Sequence, residues 1–201
     1  MQAEAPPTAV ALAKVILITK DEHDLIADFL AFYGGLFGRE NVVVVDNGSD
    51  TGASGASRAS RASEAVQAAY REHRAAGGEV RVDARPFVDA VRFMGEHMRS
   101  LVGTCEFILP LETDEFVFLM DRAGDAGYAT AREDVEAALR ALPDDVSVLR
   151  YGAFLGSSVD PAEAGYRDGA YGRPARQITR FHDQGWDKVI VRASRFESMA
   201  Q

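Results

Sequence analysis

Cysteine is nearly absent from this chain: Cys105 stands alone among 201 residues. A lone thiol excludes an intrachain disulfide and any thiolate metal cluster, and it suits a reducing cytosol. Long apolar runs are missing too. No stretch reaches the roughly 18 residues that a membrane-spanning helix needs. Residues 1–13, MQAEAPPTAVALA, lack the basic start and extended apolar segment of a signal peptide. Positive charge is in short supply, with 22 Lys and Arg against 31 Asp and Glu and a formal charge of −9. Such a surface repels a phosphate backbone, so no nucleic-acid partner is expected, and a phosphorylated ligand would need a metal to help hold it. Together these absences predict a soluble, cytoplasmic protein with no transmembrane segment, and leave peripheral membrane contact open.

What is present describes an ordinary globular protein: 47% hydrophobic and 26% charged residues, with no internal repeat. The length suits one domain, expected over residues 14–201 behind a flexible leader at 1–13. KVILIT at 14–19 and VVVV at 42–45 read as strands buried on both faces. The intervening segment from Asp21 places Leu25, Ile26, Phe29, Leu30 and Tyr33 at helical spacing and ends in glycines suited to a C-cap. A polar-faced helix at 59–76 stops at Gly77 and Gly78, and EVRV at 79–82 offers a third strand. The spacing predicts further helices over 88–102 and 131–142, the strand EFILPL before Glu112, and a late strand in VSVLRYGAFLG. Residues 157–177 are loop-like, and the Ala/Ser/Arg stretch at 53–63 reads as flexible at its start. The β-α-β-α-β rhythm predicts an α/β fold with a mostly parallel central sheet flanked by helices.

Open parallel sheets bind ligands outside the carboxyl ends of their strands, and three acidic clusters fall there. They are Asp21 and Glu22, the segment Asp46–Asp50, and Glu112–Glu115. Hard divalent cations take oxygen ligands, which carboxylates at a strand mouth supply. Asp114 is the first choice as ligand. In an extended strand end Glu112 and Asp114 point to the same face and address one ligand site, while Glu115 faces the other way, to orient a neighbour or sit in an internal network. Acidic residues after strands are commonly solvated turn or cap residues. Flanked by FILPL and FVFL, however, the ETDE carboxylates stand in an apolar run where charge is costly unless paired or metal-bound.

The order KVILITKDE, amphipathic helix, VVVVDNGSDT, FILPLETDEF resembles the GT-A glycosyltransferases of the family 2 type, in particular the subgroup with a D-x-D-E-F motif. The resemblance spans roughly residues 14–120, with weaker agreement at KVIVR, 188–192. It implies a GT-A fold, Rossmann-like, that transfers a sugar from a nucleotide-diphosphate sugar, UDP-linked by analogy, to a glycan or lipid-linked acceptor with Mn²⁺ or Mg²⁺. By that resemblance Thr19 and Glu22 lie near the nucleobase, Asp46 holds the base or ribose, and Asn47 and Asp50 shape the same loop. Asp114 binds the metal that bridges the diphosphate. Glu112 occupies the place of the motif's first Asp, with the charge kept and the arm longer.

An inverting member also needs a carboxylate base after the metal motif. Asp183 and Asp187 are the candidates, with Glu197 further on, and surface solvation accounts for each as well. His182, Trp186 and Lys188 in RFHDQGWDKVIVR suit sugar stacking and phosphate contact, Lys188 being the donor-site candidate. His182 reads more simply as a structural residue and Lys188 as a solvated one. No further metal-binding His follows this segment, so a chain truncated on its acceptor side is one expectation. His97, on the helix before the metal strand, is placed either facing the donor diphosphate or, more simply, on the polar helix surface, and Cys105 is expected in the core. Two other readings stand beside transfer: a noncatalytic nucleotide-sugar binding module, and a metal-dependent nucleotidyltransferase. The latter would want a glycine-rich basic loop near the first strand, where only Lys14 and Lys20 occur.

Overall fold

The computed structural model describes residues 10–50, 58–117, 119–120, 128–129, 131–157 and 180–196. The start of the expected leader, the beginning of the Ala/Ser/Arg stretch, nearly all of the loop-like 157–177 segment, and Glu197 lie outside them.

The first apolar run forms β1 (Ala11–Thr19), which starts inside the stretch expected to be a leader. Val15, Ile16 and Leu17 at its centre are fully buried, as a strand covered on both faces requires. β2 (Val42–Asp46) is buried along its whole length. Between them α1 (Ile26–Phe37) turns Ile26, Phe29, Leu30, Tyr33, Leu36 and Phe37 inward, the stripe of an amphipathic helix. Gly38 ends α1 at φ 90°, and its N–H donates to the Gly34 carbonyl at 3.1 Å. That left-handed backbone strains any residue with a Cβ, which is why glycine stands there.

α2 (Arg58–Ala75) leads to β3 (Glu79–Val82), and α3 (Ala90–Arg99) leads to β4 (Cys105–Leu111). A short ribbon of β5 (Leu119–Met120) and β6 (Tyr128–Ala129) precedes α4 (Arg132–Arg140). β7 (Val148–Ser157) and β8 (Arg180–Arg192) close the chain. β8 was not foreseen as a strand. Its last residues explain it: Ile190 and Val191 are buried, and Val191 pairs with Ile108 of β4.

The main sheet has the order β3-β2-β1-β4-β8-β7. β3, β2, β1 and β4 are parallel, β8 is antiparallel to β4, and β7 is antiparallel to β8. The chain therefore steps outward from β1 to β3 and then returns past β1 to lay down β4. Right-handed crossovers demand that such a reversal move the connecting helix to the opposite face. The two core layers show it. Residues of α1, α2 and α4 pack with Val15, Leu17, Val42 and Val44 on one face, while Phe93 and Met98 of α3 pack with Ile16, Val43 and Val45 on the other. This is a mixed α/β, Rossmann-like architecture with its topological switch between β1 and β4.

α2 is tied to the sheet by His73, whose buried Nε2–H donates to the Val42 carbonyl at 2.9 Å. Burial lowers the His73 pKa and keeps the ring neutral. Gly78 leaves room for that ring, since a Cβ at position 78 would collide with it. Cys105 is buried as expected, and burial pushes its thiol pKa up. Among the described residues no helix is long and apolar enough to cross a membrane.

Candidate functional site

A cleft of about 610 Å³ opens at the switch point. Its floor is the carboxyl ends of β1 and β4: Ile18, Thr19 and Lys20 on one side, Pro110 and Leu111 on the other. Glu22 and Leu25 border it before α1, and Phe87, Ala90 and Met94 form the wall toward α3. Residues 112–115 stand across its mouth.

The acidic motif is not the continuation of a strand. β4 ends at Leu111, and residues 112–115 form a tight turn in which the Glu115 N–H donates to the Glu112 carbonyl at 3.1 Å. The Glu115 carboxylate folds back over the same turn and accepts from the Glu112 N–H at 3.0 Å. The period-two argument that sent Glu115 to the opposite face is therefore overturned, because it holds only for extended backbone. Glu112, Asp114 and Glu115 each present a carboxylate oxygen, and these oxygens lie within 4.8 Å of one another. Glu112 and Asp114 are exposed and Glu115 half-buried. Three oxygen anions this close repel unless a cation joins them, so the donor set fits a hard divalent ion such as Mg²⁺ or Mn²⁺. Glu112, Asp114 and Glu115 would hold it.

Two anchors fix the turn. From β1, Thr19 receives the Thr113 hydroxyl at 3.3 Å, both residues being buried. From α1, the Tyr33 hydroxyl donates to the Glu115 carbonyl at 2.9 Å and accepts the Val117 N–H at 3.0 Å. The Tyr33 ring is fully buried and packs near the rings of Phe29, Phe32, Phe37 and Phe116.

The acidic loop after β2 is organised differently. Asp46, Asn47 and Ser49 are all buried. One Asp46 oxygen, Oδ1, accepts from the Ser49 N–H at 3.0 Å and also from the Ser49 hydroxyl. That hydroxyl in turn accepts the Asp21 N–H at 2.8 Å, and Asp21 Oδ1 accepts the Asp50 N–H at 2.7 Å. Ser49 therefore joins the ends of β1 and β2. Asp21 sits at φ 53°, a left-handed conformation that aspartate tolerates better than most residues. The Asn47 amide donates to the carbonyls of Asp83 at 2.6 Å and Arg85 at 2.7 Å, which pins the segment between β3 and α3. Beneath the loop the Tyr70 hydroxyl lies near Asp46 and Ser49 but makes no hydrogen bond of normal geometry among the described residues. Burial, and then the Asp46 charge, push its pKa well up.

His97 is not plain helix surface. Its Nε2 lies 2.9 Å from Asp83 Oδ2, and Arg81 approaches its Nδ1 at 3.4 Å. A carboxylate can only accept, so the Nε2–H is given to Asp83. Asp83 also accepts from Arg85 Nε at 2.8 Å and from the other arm of the same guanidinium at 2.6 Å. Arg85 first, and His97 after it, hold the Asp83 carboxyl well below the usual carboxylate range. This network stiffens the stretch that leads into the Phe87 wall.

Of the residues singled out from sequence, the cleft gathers Thr19, Glu22, Glu112 and Asp114. Asp46, Asn47 and Asp50 belong to the neighbouring loop network and are not among the residues lining the cleft. Asp183, Asp187 and Lys188 stand on β8, where Phe154, Gly152 and Tyr151 of β7 are their respective register partners. Because β8 runs antiparallel to β4, the residues before Val191 lie toward the carboxyl end of β4. Tyr33, Ser49 and Tyr70 were missed. A buried hydroxyl at helical spacing reads from sequence as one more core aromatic, and a serine in a turn reads as solvated. The chain matches no family model, and no curated protein matches it.

Proposed function

We propose that the chain is a metal-dependent glycosyltransferase of the GT-A type, using a nucleotide-diphosphate sugar, with a UDP-sugar as the first donor to test. The observation that carries this is the convergence of three carboxylates on a turn at the carboxyl end of β4, facing a 610 Å³ cleft at the topological switch. The donor class and the glycan or lipid-linked acceptor come from the KVILITKDE, VDNGSD and TDEF resemblance.

In this reading Glu112, Asp114 and Glu115 hold Mn²⁺ or Mg²⁺. An ion held there would supply Lewis-acid help to a nucleoside diphosphate leaving group. Lys20, at the cleft edge, adds a positive charge on the side of β1. Thr19 and Thr113 fix the distance between the β1 floor and the acidic turn. The apolar wall of Phe87, Ala90 and Met94 offers a face for the flat or apolar part of a ligand and helps exclude water. Asp183 and Asp187 on β8 remain the candidates for the acceptor base.

The test is calorimetric titration of UDP and UDP-sugars with and without Mn²⁺, using wild type and Asp114→Ala, with donor hydrolysis followed in parallel. Metal-dependent binding that Asp114→Ala abolishes supports the donor site, and turnover separates an enzyme from a noncatalytic binding module. A folded wild type that binds no UDP ligand in Mn²⁺ would remove the uridine-donor reading.

A further inference from the structure

Three carboxylates on one short turn repel one another, and within the motif the Glu115 carboxylate is held by the Glu112 N–H at 3.0 Å. The turn has its converged shape, and beside the Thr113–Thr19 contact it is held from outside the motif by a buried phenol. Tyr33 Oη sits between the Glu115 carbonyl at 2.9 Å and the Val117 N–H at 3.0 Å, donating to one and accepting from the other. These two backbone groups flank Phe116, so the hydroxyl fixes the exit of the turn. Glu115 is thereby fixed at its own carbonyl while its carboxylate closes back onto the Glu112 N–H. The ring cannot swing away: it is fully buried, 4.6 Å from the Phe29 centroid and 4.9 Å from that of Phe32. A rigid, buried hydroxyl that satisfies a donor and an acceptor at once is a preorganising contact.

We infer that Tyr33 is a positioning residue for the metal turn, setting the convergence of Glu112, Asp114 and Glu115 before any ion binds. The inference rests on the metal reading above. Tyr33 does not touch the ion; it acts through the Glu115 backbone, as the outer partners of metal ligands do.

The full-length chain is titrated with Mn²⁺ alone, following the aqueous Mn²⁺ paramagnetic-resonance signal, and its melting temperature is measured alongside. Tyr33→Phe, which removes one oxygen and keeps the ring, is expected to weaken Mn²⁺ binding about tenfold. Phe37→Leu, which trims the same aromatic stack without touching the hydroxyl, is expected to lower the melting temperature and leave Mn²⁺ affinity within about twofold. An unchanged affinity in Tyr33→Phe overturns the inference, and so does a loss in both variants that merely tracks their stability. A wild type that takes up no Mn²⁺ removes the metal reading and this inference with it. Wild type that binds, with Glu115→Gln weakened and Tyr33→Phe not, removes only the inference. If Tyr33→Phe fails to fold, amide exchange on wild type decides. The Val117 amide is expected to be protected without metal, and protection that appears only with Mn²⁺ means the ion shapes the turn.

Discussion

Two acidic loops follow two central strands of one sheet, and they have opposite characters. After β2, Asp46 is buried and its Oδ1 is spent on the backbone and hydroxyl of Ser49, while Asn47 is spent on two carbonyls of the neighbouring segment. After β4, the turn is closed through backbone groups and one folded-back carboxylate, and Glu112 and Asp114 are exposed. The first loop turns its polar chemistry inward and locks strand ends together. The second is held from behind and presents its charge outward. The first loop is thus a joint, and the second, on the proposed metal reading, a ligand set.

The largest effects should fall on the inward loop. Asp46→Ala leaves the Ser49 N–H and hydroxyl without their acceptor in a buried place, and should cost about 3 kcal/mol of stability, read from urea unfolding. A substitution at the outward turn should behave in reverse. Asp114→Asn should keep stability within about 0.5 kcal/mol of wild type while weakening Mn²⁺ binding about a hundredfold. If Asp114→Asn unfolds the protein, or Asp46→Ala leaves it untouched, the contrast between joint and ligand is broken. Ser49→Ala should cost about 1–2 kcal/mol, because it removes the hydroxyl that bridges Asp46 and the Asp21 N–H but keeps the Ser49 N–H.

The smallest effect is a pH dependence on the side of β2. His73 is buried and neutral, its folded-state pKa lowered from 6.5 chiefly by burial. The unfolded chain therefore binds this proton first as pH falls below about 6.5, and stability drops until the folded-state pKa is reached. Urea midpoints between pH 7.5 and 5.5 should fall in wild type and lose this component in His73→Gln, with Mn²⁺ affinity compared at one pH as the control.

The central strands were legible because a parallel strand buried on both faces has to be an unbroken apolar run, and VILI and VVVV are such runs. Helix α1 was legible from its stripe, and Gly38 from its place after it. The ETDEF motif stood out as charge set inside apolar sequence. Its geometry did not, because one hydrogen bond, from the Glu115 N–H to the Glu112 carbonyl, turned an assumed strand into a turn and reversed the side of Glu115. β8 was hidden for another reason. HDQGWDK has no apolar alternation, and only Val189–Val191 carries the strand signal. The Asp46–Ser49 contact is local, but the joint it makes was not legible, since Ser49 also holds Asp21 across 28 residues and the Asn47 partners lie 36 and 38 residues on.

The return of the chain past β1 also sets an order of events. Thr113 meets Thr19 across 94 residues of sequence, and Tyr33 meets the Glu115 carbonyl across 82. Contacts that distant close late in folding, after local strand-helix units have formed. On a ribosome, β1, α1 and β2 can assemble while the metal turn is still unmade. On the proposed metal reading, a chain arrested after β3 would lack residues 112–115, so uptake of a cation there would report that β4 has joined the sheet.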